Sequence, residues 1–272
     1  MQPGTYDNLS AEDYHADTES ISKSGLSRLY DNPARYRYGT PQQTKALSFG
    51  QLVHAVVLEP ETVDARFLAS ALARFTETDS KYKDEVIRAA GRTIVKKADF
   101  DIARRISDSV QANRVASAFI TPDLIVERTL CWNDPLTGVR LRARPDGIAR
   151  ADRVLLDLKT CEDAGSAAFA KSAHAYRYNW QPVIYGDGIS YTEAWTPAAF
   201  IFIAVEKEAP YLTATYELVD AALDLARRQI DEALSTYADC LASDEWAGHG
   251  PGLTKLDLPY YAYRDNASSK GN

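Results

Sequence analysis

Apolar positions recur with two periods along the chain, and the switches between them divide it into elements. Residues 45–59 place Phe49, Val53, Val56 and Val57 at helical spacing, which predicts a helix stopped by Pro60. Residues 97–119 repeat the pattern through Phe100, Ile102, Ala103, Ile106 and Val110, predicting one long amphipathic helix. Residues 124–132 and 139–144 read as strands, joined by a turn cluster at 133–138. Residues 154–160 form a third strand. Its side chains alternate, so Val154, Leu156 and Leu158 point into a core while Leu155, Asp157 and Lys159 point the other way. Helices follow at 164–174 and 178–189, strands at 199–206 and 211–216, and an amphipathic helix at 219–241. Before residue 97 the signals are mostly helical. A capped start lies at 10–13, a second helix at 22–30 closes near Asn32-Pro33, and 62–92 reads as a loop followed by a helix around 82–90.

The strand at 154–160 is also where the chemistry gathers. Two opposite charges, Asp157 and Lys159, share one face of an otherwise apolar strand, and a charge in such a place needs a partner or a metal. Eleven residues upstream of Asp157, Asp146 stands between Pro145 and Gly147, where an extended segment turns. A hairpin between the two segments brings Asp146 beside Asp157. Two carboxylates that close repel unless a cation lies between them, and hard oxygen donors favour Mg²⁺, with Mn²⁺ as a substitute. The bland alternative is a surface hairpin with an ordinary Asp–Lys pair. Arg140, Arg142 and Arg144 share one face of the preceding strand, and continued alternation would add Asp146 to it.

Composition narrows the class. The 272 residues are 45 % apolar and 25 % charged, as in a soluble globular protein. No apolar run approaches the length of a membrane helix, and the N-terminus lacks the pattern of a signal peptide. Three scattered cysteines point to reduced thiols in a cytoplasm and against a four-cysteine cluster. The net charge of −7 counts against indiscriminate coating of nucleic acid, but not against a locally basic channel. Arg28, Arg35 and Arg37, interleaved with Tyr30, Tyr36 and Tyr38, form one basic patch whose alternatives are a solvated face and a phosphate-contacting rim. His54, one turn after Gly50, is either a core histidine or a ligand.

These residues, taken in order, resemble the PD-(D/E)xK nuclease superfamily, and within it the RecE-type phage and prophage exonucleases. The matching pieces are Tyr14-His15-Ala16-Asp17, Ser22-Lys23-Ser24-Gly25-Leu26, Gly50 to His54 with Leu58-Glu59-Pro60, Arg144-Pro145-Asp146, Asp157-Leu158-Lys159-Thr160, and Gln181 with Tyr185. Asp157 stands where many members have Glu. The resemblance implies an α/β fold: a mixed central β-sheet flanked by helices, with the metal site at the sheet's edge. It implies one nuclease domain over 1–263, with a helical region to about 120, a catalytic core over about 121–241 and a loose tail at 264–272. By position, Asp146, Asp157, the Leu158 carbonyl and His54 would hold Mg²⁺, Lys159 would orient or deprotonate the attacking water, and Gln181 and Tyr185 would position the DNA strand or the lysine. Arg28, Arg35, Arg37, Arg140, Arg142 and Arg144 would face the DNA.

The activity implied is Mg²⁺-dependent digestion of linear duplex DNA from its ends, 5′ to 3′, by a homo-oligomeric ring. The single strands left would serve recombination, with a single-strand annealing protein as partner. Two alternatives stand beside it. One is a nuclease of this fold acting on single-stranded ends or flaps in repair or spacer acquisition. The other is a non-catalytic DNA-binding module.

Overall fold

Two apolar segments, Val154–Cys161 and Ala199–Glu206, pair in parallel through the middle of the protein, and the remaining elements are arranged around them. The computed structural model describes residues 1–40, 45–72, 74–250, 252–259 and 263; the tail expected at 264–272 lies outside the described residues. The chain opens with β1 (Gly4–Tyr6), α1 (Ala11–Ala16), β2 (Ile21–Ser22), α2 (Lys23–Asp31), α3 (Pro33–Tyr38) and α4 (Lys45–Leu58). There follow α5 (Val63–Arg66), β3 (Phe67–Ser70), α6 (Ser80–Ala89), β4 (Thr93–Lys96), α7 (Lys97–Ala112) and α8 (Arg114–Phe119). The strands β5 (Ile125–Val126), β6 (Thr129–Asn133), β7 (Arg140–Ala143), β8 (Gly147–Ala149) and β9 (Val154–Cys161) come next. The last elements are α9 (Ser166–Ala175), α10 (Trp180–Glu193), β10 (Ala199–Glu206), β11 (Thr213–Tyr216) and α11 (Asp220–Ser243).

A mixed five-stranded sheet runs β11-β10-β9-β8-β5, and a four-stranded sheet runs β1-β6-β7-β2. Strands buried on both faces read as continuous apolar runs, and β9 and β10 fit that pattern. On one face Val154, Leu156, Leu158, Ile201, Ile203 and Val205 pack against α4 and α7. On the other, Leu155, Phe200, Phe202 and Ala204 join a core built from the four-stranded sheet, α2, α10 and α11. The fold is thus the expected mixed sheet between helices. The alternative of a surface hairpin is excluded, because Asp157 is 1 % exposed.

Several boundaries differ from the sequence expectation, each for a local reason. The helix expected over 97–119 is two helices: the Asn113 side chain accepts from the N–H groups of Val115 and Ala116 and starts α8 afresh. The strand expected over 124–132 splits at Glu127, whose φ of +49° breaks the ladder. Its first part, β5, pairs with β8 in the five-stranded sheet, whereas β6 pairs with β1 and β7 in the other. The chain crosses between the same two sheets again at residues 144–146, so the alternation through Arg140, Arg142 and Arg144 does not carry on to Asp146. The region expected to be helical up to residue 120 also holds β1, β2 and the parallel pair β3–β4. Asn32 both ends α2 and caps α3, through a bond from Arg35 N–H, where one closing turn was expected. Among the described residues no helix is long and apolar enough to cross a membrane.

Candidate active site

β8 pairs with β9 only as far as Leu156, and beyond it no strand covers Leu158 on that side, while β10 pairs on the other. Two side chains take the missing strand's place. Asp146, on the crossover into β8, accepts from the Leu158 N–H at 2.7 Å. The Leu158 carbonyl accepts from His54 Nε2, reaching in from α4, at 2.9 Å. A carbonyl only accepts, so Nε2 is the donor there, and Nδ1 lies 3.6 Å from Asp146 Oδ2. Close approach at Gly147 supports this corner, since a Cβ there would lie 3.1 Å from the Leu124 side chain.

Asp157 and Lys159 point to the opposite side of β9, towards α10. The Asp157 carboxylate contacts the Lys159 ammonium through Oδ1 and accepts from Gln181 Nε2 through Oδ2. Gln181 Nε2 also donates to Tyr185 Oη at 3.2 Å, one turn along the same helix face. What lets α10 lie this close is Gly188, where a Cβ would come 2.8 Å from the Trp132 ring on β6. Lys159 Nζ sits 4.9 Å from the Tyr178 ring centroid, and Lys23 Nζ lies 5.9 Å from the same ring.

The charges are under strain. Burial pushes the Asp146 carboxyl up to about 6, with nearby Asp157 adding to the effect while His54, Lys159 and the Leu158 N–H oppose it. Burial also works against the Lys159 charge, but Asp157 and Asp146 outweigh it and hold the ammonium above the ordinary lysine value. Burial, together with the Lys159 charge, brings Lys23 down to about 8. Tyr185 is driven well above the usual phenol range by burial and by Asp157, which keeps it a neutral hydroxyl.

The donor set suits a divalent cation. Gln181 Oε1 is buried and makes no hydrogen bond, Asp157 Oδ1 is buried against the Lys159 ammonium, and His54 Nδ1 lies 3.6 Å from Asp146 Oδ2. Among the described residues no three His, Cys, Asp or Glu side chains stand at metal-ligand spacing. Beside the two aspartates, the Leu158 carbonyl is the main-chain oxygen that could join a donor set. Hard carboxylate and carbonyl oxygens fit Mg²⁺ or Mn²⁺.

The structure thus brings together His54, Asp146, Asp157, Leu158, Lys159, Gln181 and Tyr185. It disperses the arginines. Arg142 is buried, its Nη1 donating to the Asp17 carbonyl at 2.8 Å, to the Ser20 carbonyl and to Ser20 Oγ at 3.0 Å, so the expectation that it faces DNA is corrected. Arg140 donates to the Met1 carbonyl and Glu19, both at 3.1 Å, and Arg144 to Thr129 Oγ1 and the Leu9 carbonyl while lying 4.3 Å from the Tyr14 ring. The face they share is covered by residues 1–20. Arg28 points into the carbonyls at the end of α3, whereas Arg35 and Arg37 are exposed. Two neighbours of Lys159 were given no role from the sequence, Lys23 and Tyr178. Lys23 lay in the Ser22-Lys23-Ser24 piece, but no local signal ties it to residue 159.

The model of a family described as a PDDEXK-like domain of unknown function (DUF3799) matches residues 33–253. No curated protein matches the chain. Among solved structures, a candidate exonuclease from Eubacterium rectale aligns over 95 % of this chain and 98 % of its own, at 13 % identity and a TM-score of 0.61. A phage-related exonuclease from Haemophilus somnus 129PT aligns over 83 % of this chain and 96 % of its own, at 10 % identity and a TM-score of 0.38.

Proposed function

Since the chain belongs to the PDDEXK-like family DUF3799, we propose that it is a Mg²⁺-dependent exodeoxyribonuclease that digests linear duplex DNA from its 5′ ends, leaving single strands for recombination. One observation carries the proposal. Asp146, Asp157, the Leu158 peptide and Lys159 converge at the end of a doubly buried strand, where two carboxylates and an ammonium serve no packing need. The name of the Eubacterium rectale protein, which shares the fold, points the same way.

Asp146, Asp157 and the Leu158 carbonyl would hold the cation, with His54 Nδ1 as a further donor. When bound, such an ion lowers the pKa of a water and neutralises phosphate charge. Lys159, whose ammonium lies beside Asp157, would face the attacking water and the phosphate, where a fixed positive charge stabilises the transition state. Gln181 holds Asp157 in place and Tyr185 holds Gln181, so α10 sets the rotamer of the carboxylate from behind. The exposed Arg35 and Arg37 are the cations of the original patch that stay open to a backbone phosphate. A ring of subunits and an annealing partner remain part of this reading.

The direct test is incubation of the purified protein with linear duplex DNA in Mg²⁺ and in chelator. Mononucleotides released only with Mg²⁺ are expected. Digestion confined to single-stranded ends would favour the repair-type nuclease, and binding without hydrolysis the non-catalytic module.

A further inference from the structure

Between α9 and α10 the chain makes a short turn, Tyr176-Arg177-Tyr178, that is held far more firmly than a connection requires. Arg177 has a φ of +51°, a left-handed conformation costly for a residue with a side chain. The backbone is fastened at each step: Tyr176 N–H donates to the Ser172 carbonyl at 2.9 Å, Arg177 N–H to His174 at 3.2 Å and Tyr178 N–H to Ala173 at 2.8 Å. Lys23 Nζ donates to the Tyr176 carbonyl at 2.6 Å. The Arg177 guanidinium donates to Asp31 at 2.5 Å and Ser27 at 3.3 Å, and lies over the rings of Tyr30 and Trp180.

The product of this bracing is a pair of parallel rings. Tyr176 and Tyr178 stack with centroids 5.6 Å apart and planes at 24°. Tyr178 continues the stack inward to Phe202 at 6.1 Å and 27°. Its partner faces outward: Tyr176 is 64 % exposed, a large aromatic surface left to water. Both tyrosines line a cavity of about 360 Å³ whose wall also includes Lys159 and Lys207. That volume falls within the range of small-ligand sites, roughly 300–1,000 Å³. The charges in the cavity are not uniform. Glu162 lies 3.8 Å from Lys207, and Asp163 accepts from the Gly165 N–H at 2.7 Å, so that end is acidic or neutralised. The other end holds Lys159, whose ammonium contacts Asp157, with Lys23 Nζ behind the Tyr178 ring.

We propose that Tyr176, braced by Arg177 and Lys23 and stacked on Tyr178, is a shelf for an unpaired nucleobase, whose phosphate lies towards Lys159. Every base presents a π-face, so a flat exposed ring beside a cation recognises single-stranded nucleic acid without reading its sequence. The proposal rests on the nucleolytic reading of the same site and adds a substrate feature to it: the nucleotide beside Lys159 has left the duplex. The strained turn gains a purpose, because a rigid shelf loses little entropy when a base stacks on it.

The test uses oligothymidylate carrying one 2-aminopurine at successive positions, mixed with the full chain in chelator and followed by fluorescence. Quenching at one position is expected in the wild type and in Tyr176→Phe. Tyr176→Ala is expected to lose it and to raise the Kd for the oligonucleotide at least about fivefold, with an unchanged melting temperature. Wild-type quenching in Tyr176→Ala, or none at any position in the wild type, overturns the proposal. Equal losses in Tyr176→Phe and Tyr176→Ala also overturn it, since the hydroxyl and not the ring would then be the contact. Quenching without any Mg²⁺-dependent cleavage leaves the shelf standing and removes the nuclease, whereas cleavage without quenching does the reverse.

Discussion

Asp146 carries a charge that its surroundings resist, and that resistance is measurable. Its folded pKa is raised from 3.8 to about 6, so the group stabilises the fold fully below the unfolded value and this contribution is lost as pH rises through 6. The loss is on the order of 3 kcal/mol without metal, at 1.36 kcal/mol per pKa unit. Asn imitates the protonated acid and still accepts from Leu158 N–H. Denaturant unfolding in chelator should therefore show Asp146→Asn more stable than the wild type at pH 7.5 and level with it at pH 4. The same loss with pH in both proteins would assign it to another group. Asp157 is the opposite case. Asp157→Ala strands the buried Lys159 ammonium, and breaking a buried pair costs about 3–5 kcal/mol. The double variant Asp157→Ala/Lys159→Met should regain most of that in a melting curve, and no recovery would mean that Asp157 is held mainly by Gln181. Lys159→Ala should keep Mg²⁺-induced stabilisation but cut cleavage by at least about two orders of magnitude, the scale of one deleted electrostatic or acid–base group. A near-wild-type rate would remove Lys159 from the chemistry.

At the scale of elements, the site depends on how α10 sits against β6. Gly188→Ala places a Cβ 2.8 Å from the Trp132 ring, so the helix must lift. Overpacking of this kind costs about 1–3 kcal/mol. Because Gln181 and Tyr185 ride on the same helix, kcat should fall while metal-induced stabilisation persists. Unaltered kcat in a folded Gly188→Ala protein would show that α10 is only a support. The crossings at Glu127 and at residues 144–146 do the complementary work. The first passes the chain from the five-stranded to the four-stranded sheet, and the second returns it and delivers Asp146 to the open edge of β9.

For the whole molecule, a net charge of −7 sets the terms of DNA binding. Sequence-independent coating draws its affinity from counterion release, which a chain this acidic cannot supply broadly. Enclosing the DNA would bring exposed cations such as Arg35 and Arg37 to its backbone while acidic faces stay outside. We expect a closed homo-oligomer by light scattering, and processive loss of linearised plasmid in Mg²⁺ while supercoiled circles persist. Circles cut as fast as linear molecules would identify an endonuclease and remove the ring.

How much of this was legible beforehand differs by residue. The α4 helix, the strands β9 and β10 and the shared face of Asp157 and Lys159 were readable because side-chain period is a property of the local backbone. So was the pairing of Asp146 with β9, since one short hairpin closes it. The fate of the arginines was not. Arg142 has the alternation of a surface strand, and only the return of residues 17–20 across it decides that it is buried. His54 meets Leu158 across 104 residues, and Lys23 meets Tyr176 across 153. No period in the chain records such contacts. They exist because helices packed by the core bring His54 to the side of Leu158 that β8 leaves open, and Lys23 to the Tyr176 carbonyl in the α9–α10 turn.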